Sequence, residues 1–163
     1  MRFVIQLART NVDMGTGGPF GAAVFETATG RLVSIGVNLV TSLNCSLAHA
    51  EMVALANAQQ AVEHFDLGAA GLPRMELVTS CEPCAMCYGA IPWSGVRIVR
   101  CGARARDASA IGFDEGPKPR NWVAALESRG ITVDRDLCRE EAVAVFQRYR
   151  QSGGDIYNAR KGT

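Results

Sequence analysis

His49 and Glu51 are separated by one alanine, and about thirty residues later Cys81, Cys84 and Cys87 follow at intervals of three. Residues three apart share a helix face, so Cys84 and Cys87 can bind one ion. His49 supplies a nitrogen ligand from a facing helix. One nitrogen and two sulfur donors are the composition of a catalytic zinc site with an open fourth position for water. Glu51 is not needed as a ligand, and its carboxylate is suited to carry protons beside that water. On a regular helix, residues two apart do not face one way. The metal must therefore sit off the helix end, with His49 in the first turn and Ser46 as the expected N-cap. Two helix N-termini aimed at the ion favour thiolate and hydroxide together. The expectation is one Zn2+ per chain.

The elements that must position these residues follow from periodicity and breakers. Residues 2–13 predict a helix with Phe3, Leu7, Ala8 and Val12 on its inward stripe. Gly15–Pro19 breaks it, and Phe20–Glu26 and Arg31–Asn38 read as a hairpin around Gly30. A second helix is predicted from Leu47 to His64, with Met52, Leu55, Ala58, Val62 and Phe65 inward. Met75–Ser80 reads as a strand, and Pro83 at a first helical position opens the cysteine helix. Val96–Cys101 and Ile131–Asp136 are further strands, separated by the loop Gly112–Pro119 and a helix bearing Trp122 and Leu126. The last helix, Glu140–Gln151, turns Ala142, Val145, Phe146 and Tyr149 inward. Strands joined by helices predict an α/β fold, a three-layer α/β/α sandwich on a mixed five-stranded sheet.

Length and charge narrow the classes. The chain has 163 residues, which suits one domain over 1–163. It is 48% apolar and 20% charged, which excludes a disordered or fibrous chain. It carries no run of the roughly 18 apolar residues that a membrane helix needs. The N-terminus lacks a signal-peptide core, so the expected location is the cytoplasm. Seventeen basic against sixteen acidic side chains leave a net charge of +1, with no field to draw in nucleic acid or anionic lipid.

Each chemical reading has a plainer rival. Cys81 or Cys45 as a fourth ligand would close the zinc site into a structural one. Cys81, Cys84 and Cys87 also have iron–sulfur spacing, but a helix start at Pro83 and no following Cys-Pro argue against it. Gly15–Gly21 lacks phosphate-loop spacing and reads better as a turn that brings backbone close to a flat ligand. His64 reads as a solvent-facing histidine, Met52 and Met86 as core filler, and Arg97, Arg100, Arg104 and Arg106 as a solvated face rather than an RNA stripe.

The pair His-x-Glu and Pro-Cys-x-x-Cys, each opening a helix, is the signature of zinc-dependent base deaminases. The wider chain resembles the cytidine-deaminase-like superfamily, and within it the bacterial guanine deaminases. The resembling stretches are Gly17–Ala22, Gly36–Asn38, Ala48–Glu51, Thr79–Ile91 and Ile111–Glu115. The Gly112-Phe113-Asp114-Glu115 element is similar to guanine deaminases rather than to tRNA adenosine or cytidine deaminases. The resemblance implies a cytidine deaminase-like fold and hydrolysis of guanine to xanthine and ammonia. It places purine contact and proton-transfer assistance on Glu115, and substrate contacts on Asn38, Phe20, Ala50 and Asp114. It also implies a homodimer whose C-terminal segments are exchanged or cover the site. Two stretches depart from the family: Gly116-Pro117-Lys118-Pro119 after Glu115, and the tail Ile156-Tyr157-Asn158-Ala159-Arg160.

The expected partner is thus a small purine or an aminotriazine, with no membrane and no nucleic acid. Rival reactions are deamination of ammeline-type triazines, of nucleosides or cytosine, and of tRNA adenosine. The rival of another class is a catalytically inactive zinc-binding module, for which the Glu51 carboxylate would have no use.

Overall fold

The computed structural model describes residues 1–158. In chain order the elements are α1 (Arg2–Asp13), β1 (Gly21–Glu26), β2 (Leu32–Val37), α2 (Ala50–Ala61), β3 (Met75–Cys81), α3 (Ala85–Ser94), β4 (Ile98–Ala103), α4 (Ala105–Ala110), α5 (Trp122–Glu127), β5 (Thr132–Asp134) and α6 (Arg139–Gln151). The strands form one sheet in the order β2-β1-β3-β4-β5. β1 runs antiparallel to both β2 and β3, while β4 runs parallel to both β3 and β5. The sheet is mixed and five-stranded, as the pattern predicts.

Helices cover both faces. Ala54, Leu55, Ile91, Trp122 and Leu126, from α2, α3 and α5, pack on Ala22, Val24, Leu77 and Val99 of one sheet face. Ile5, Ala8, Ala108, Val145 and Phe146, from α1, α4 and α6, pack with Cys81 and Ala103 on the other. β3 lies at the centre, and six of its seven residues are buried. Burial on both faces is why it reads as a continuous apolar run rather than an alternating one.

The α6 stripe is as expected, with Ala142, Val145, Phe146 and Tyr149 buried. Two other stripes are rotated. α1 buries Val4, Ile5, Ala8, Asn11 and Val12, while Phe3 is 47% exposed. α2 buries Ala50, Glu51, Ala54, Leu55 and Ala58, and Phe65 beyond its end is 80% exposed. The cause is close approach: a Cβ on Gly36 of β2 would lie 2.2 Å from the Ala50 carbonyl oxygen and 2.5 Å from the Ala54 nitrogen. A helix packed this tightly must turn its alanines to the sheet, so its large residues are displaced outward.

Helix starts also differ from expectation. α2 begins at Ala50 with His49, not Ser46, as its N-cap. α3 begins at Ala85 with Cys84 as N-cap, so Pro83 stands one residue before the cap rather than inside the first turn. α4, which starts after its cap Arg104, is an additional helix that the periodicity did not reveal, because six residues make too short a stripe. Gly95, at φ 83°, ends α3.

Candidate active site

Two helix N-termini meet at the carboxyl end of β3. His49 caps α2 in extended backbone geometry (φ −70°, ψ 155°), and Cys84 caps α3 likewise (φ −68°, ψ 178°). The N-cap position projects a side chain beyond the helix end, and Cys87 at the third helical position of α3 points the same way. His49 Nδ1 lies 3.5 Å from Cys84 Sγ and 3.6 Å from Cys87 Sγ. All three donor atoms fall within 4.8 Å of one another.

Zn–S near 2.3 Å and Zn–N near 2.0–2.1 Å at a tetrahedral angle place N and S about 3.5–3.6 Å apart. The donor triad has that spacing, so its chemistry and its dimensions both fit zinc. It is the only such cluster of three His, Cys, Asp or Glu residues among those described. Cys81 is buried at the end of β3 and Cys45 is exposed, and neither belongs to it. His64 is exposed, with its Nδ1 near the backbone of Asp66.

The electrostatics suit cation binding. A hydrogen bond from Cys87 holds the Cys84 thiol down to about 4, and burial works against it. The same hydrogen bond pushes Cys87 upward, with burial adding to the rise. Cys84 is thereby favoured as a thiolate beside the other two donors. Burial lowers the His49 affinity for a proton, but Cys84 and Glu51 outweigh it and the net shift is upward.

Glu51, at the second position of α2, is only 6% exposed. Burial first, and the neighbouring Cys84 second, push its carboxyl up to about 7. Glu115 reaches the pocket from the loop after α4. Burial, then Cys84 and Glu51, push it up to about 8. Two carboxyls with such values can each hold or release a proton near neutral pH.

Glu51, Glu115, His49 and Cys84 line one cleft together with Phe20, Asn38 and Asp114. Asn38 is buried at the end of β2, and its Oδ1 accepts the N–H groups of Gly18 and Val40, each at 3.3 Å. That occupies the side-chain oxygen and leaves Nδ2 as the amide's donor. Gly17 must lack a side chain, since its Cβ would meet the Asn38 carbonyl oxygen at 1.9 Å. Phe20 stacks edge-on with Phe113, ring centroids 5.0 Å apart, and forms an apolar wall. Asp114 shapes the loop by accepting the Gly116 N–H at 2.9 Å. Ala50 is fully buried in the core against β2 rather than in the cleft lining.

Four further lining residues escaped the sequence reading: Glu82, Phe113, Tyr157 and Asn158. Glu82 and Phe113 lie within the resembling stretches, so the signal was present without a role. Tyr157 and Asn158 belong to the tail that the resemblance implies as a cover for the site, but no individual role was assigned to either. Asn158 Nδ2 donates to the Gly112 carbonyl at 2.8 Å and its Oδ1 accepts the Asp114 N–H at 2.9 Å. The chain's own tail therefore covers its own cleft, while Ala159 and Arg160 lie outside the described residues. Arg100 pairs with Glu76 and Asp134, each at 2.8 Å, and Arg104 with Asp136, so these arginines are largely neutralised within the fold. Among the described residues no helix is long and apolar enough to cross a membrane.

A family model described as the cytidine and deoxycytidylate deaminase zinc-binding region matches residues 1–103. The chain is 40% identical over 150 residues to the guanine deaminase of Bacillus subtilis, covering 92% of this chain and 91% of that protein. It is 31% identical over 156 residues to the tRNA-specific adenosine deaminase of Haemophilus influenzae, covering 93% and 83%. The solved guanine deaminase of Nitrosomonas europaea superposes with a TM-score of 0.90 at 51% identity, covering 92% of this chain and 82% of that one.

Proposed function

The chain belongs to the cytidine and deoxycytidylate deaminase zinc-binding family, and from that premise we propose that it is a zinc-dependent hydrolase converting guanine and water to xanthine and ammonia. The observation that carries the reading is the His49, Cys84, Cys87 donor triad with buried Glu51 beside it and Glu115 on the same cleft. Its likeness to two guanine deaminases, at 40% and 51% identity, supports guanine as the base. The reading takes 1–163 as a single deaminase domain.

Under this reading His49, Cys84 and Cys87 hold one Zn2+. A zinc ion there supplies Lewis-acid activation of water, bringing its pKa from about 15.7 toward about 7. Glu51 accepts the proton of the attacking water and passes it to the ring nitrogen beside the amine-bearing carbon, which makes that carbon electrophilic. The water oxygen becomes bonded to that carbon, Glu51 with Glu115 carries the remaining proton from the new hydroxyl to the exocyclic amine, and the C–N bond breaks to release ammonia. Guanine presents an N–H and an exocyclic amine on one edge, and the Glu115 carboxylate is an acceptor matched to both. Asn38 offers its Nδ2 donor to a ring acceptor, and Phe20 packs against the ring face. Asp114 completes the substrate surroundings, while Ala50 spaces His49 from Glu51.

A homodimer is proposed from the family resemblance, each tail covering a site as Tyr157 and Asn158 do here. A cytoplasmic location is proposed from cysteine usage, with all six thiols free. The small net charge of +1 supports a small-molecule substrate over nucleic acid.

Ammonia release from guanine, ammeline, cytosine, cytidine, adenosine and a tRNA anticodon stem-loop tests the assignment directly. Guanine is expected to be turned over fastest. Release only from the RNA, or from none of the panel despite bound zinc, would overturn it.

A further inference from the structure

The loop after Glu115 is unusual in this chain, and three contacts dock it on the turn that carries Cys84. The Ala85 N–H, the first of α3, donates to the Glu115 carbonyl at 2.8 Å. Gly116, at φ +68°, passes so close to α3 that an added Cβ would lie 3.0 Å from the Ala85 Cβ. Lys118 donates from Nζ to the Pro83 carbonyl at 2.6 Å, and the same ammonium sits 4.6 Å from the Trp122 ring centroid. The Lys118 N–H closes the turn on the Gly116 carbonyl at 2.8 Å.

A cation is disfavoured near a helix N-terminus unless something else holds it. Here an aromatic face and a charge-assisted hydrogen bond hold it together. We propose that Lys118 is a positioning residue: seated on Trp122 and bonded to Pro83, it pins the Glu115 loop to the cysteine turn. Its consequence is that the acid and the metal ligands move as one unit. The proposal rests on the reading of Glu115 given above. Asn158 holds the opposite end of the same loop, through Gly112 and Asp114.

Lys118→Met keeps the stem on the indole but removes donor and charge, whereas Lys118→Arg keeps both. With guanine, Lys118→Met should lose about tenfold in kcat/KM, carried mainly by kcat, and Lys118→Arg should stay within about threefold. In a Glu115→Gln background the added cost of Lys118→Met should shrink below about twofold, because its effect passes through that carboxylate. Amide exchange in residues 112–119 and at Ala85 should quicken about tenfold in Lys118→Met at unchanged zinc content. Equal cost in both backgrounds, unchanged exchange, or loss of zinc overturns the role of Lys118 and leaves the Glu115 reading standing. Wild-type kinetics in Glu115→Gln overturns the Glu115 reading instead, and the exchange measurement still decides whether Lys118 pins the loop.

Discussion

Cys84 and Glu51 sit within one cleft yet answer to different tests. Cys84→Ala removes one of three donors and leaves the Cys87 thiol without its acceptor. Zinc content by atomic absorption should fall below a tenth of one equivalent, with activity and thermal stability falling together. Full retention would show that Cys84 is not a ligand. Glu51→Gln preserves shape but cannot move protons, so zinc should remain near one equivalent while kcat falls at least about 100-fold. Zinc lost in parallel would make Glu51 a ligand or a support. The same substitution carries a pH signature in the metal-free protein. Glu51 stays protonated in the folded state to about pH 7, against an ordinary value of 4.5. Folding therefore binds a proton across that window, and the Glu51 contribution to stability is lost as pH rises through it. Relative to wild type, Glu51→Gln should gain stability between pH 5 and pH 8, by roughly 2–3 kcal/mol in urea unfolding. A pH-independent difference would contradict the buried, neutral carboxyl.

At the scale of elements, the triad depends on how closely α2 approaches β2. Gly36 is the contact point, facing the backbone of Ala50 and Ala54. Backbone atoms cannot swing aside as a flexible side chain can, so Gly36→Ala must push the first turn of α2 away. The expected cost is about 1–3 kcal/mol. Because His49 caps that turn and Glu51 lies in it, zinc affinity should weaken as well. Destabilisation with unaltered zinc affinity, measured by chelator competition, would mean the helix start adjusts independently of the ligands. The rotated stripe of α2 has the same origin. Met52, Val62 and Phe65 read as the apolar face, but small residues win the position where helix and sheet backbones nearly touch.

For the whole molecule, the tail ties the site to the C-terminus. Tyr157 and Asn158 line the cleft of their own chain, and Asn158 bonds to both Gly112 and Asp114. In sedimentation the proposed dimer should have about twice the 17.4 kDa chain mass. If each tail serves its own chain, mixing Glu51→Gln with a variant truncated after Asp155 restores nothing, since neither chain then has both glutamate and tail. An exchanged dimer would regain activity on mixing, as the first variant lends its tail to the intact Glu51 of the second. Recovery toward a quarter or more of wild-type turnover would reject coverage of the site by the chain's own tail.

The chain itself announces the donor set and the proposed proton carrier, because metal and acid–base chemistry demand specific residue types at short spacing. His49, Glu51, Cys84 and Cys87 need only their own helix starts to be recognised. The five strands and the α6 stripe were legible for a similar reason, each resting on a local period of 2 or 3.6 residues. The caps were not: His49 and Cys84 displaced Ser46 and Pro83 from their expected places because the convergence of two helix ends, not local preference, set where each helix begins. Nor could sequence distance bring Asn38, Glu115 and Asn158 to one cleft, since they come from a strand end, a loop and a tail. That placement comes from packing helices on both faces of a sheet whose order differs from chain order, and contacts so remote in sequence leave no local pattern to read.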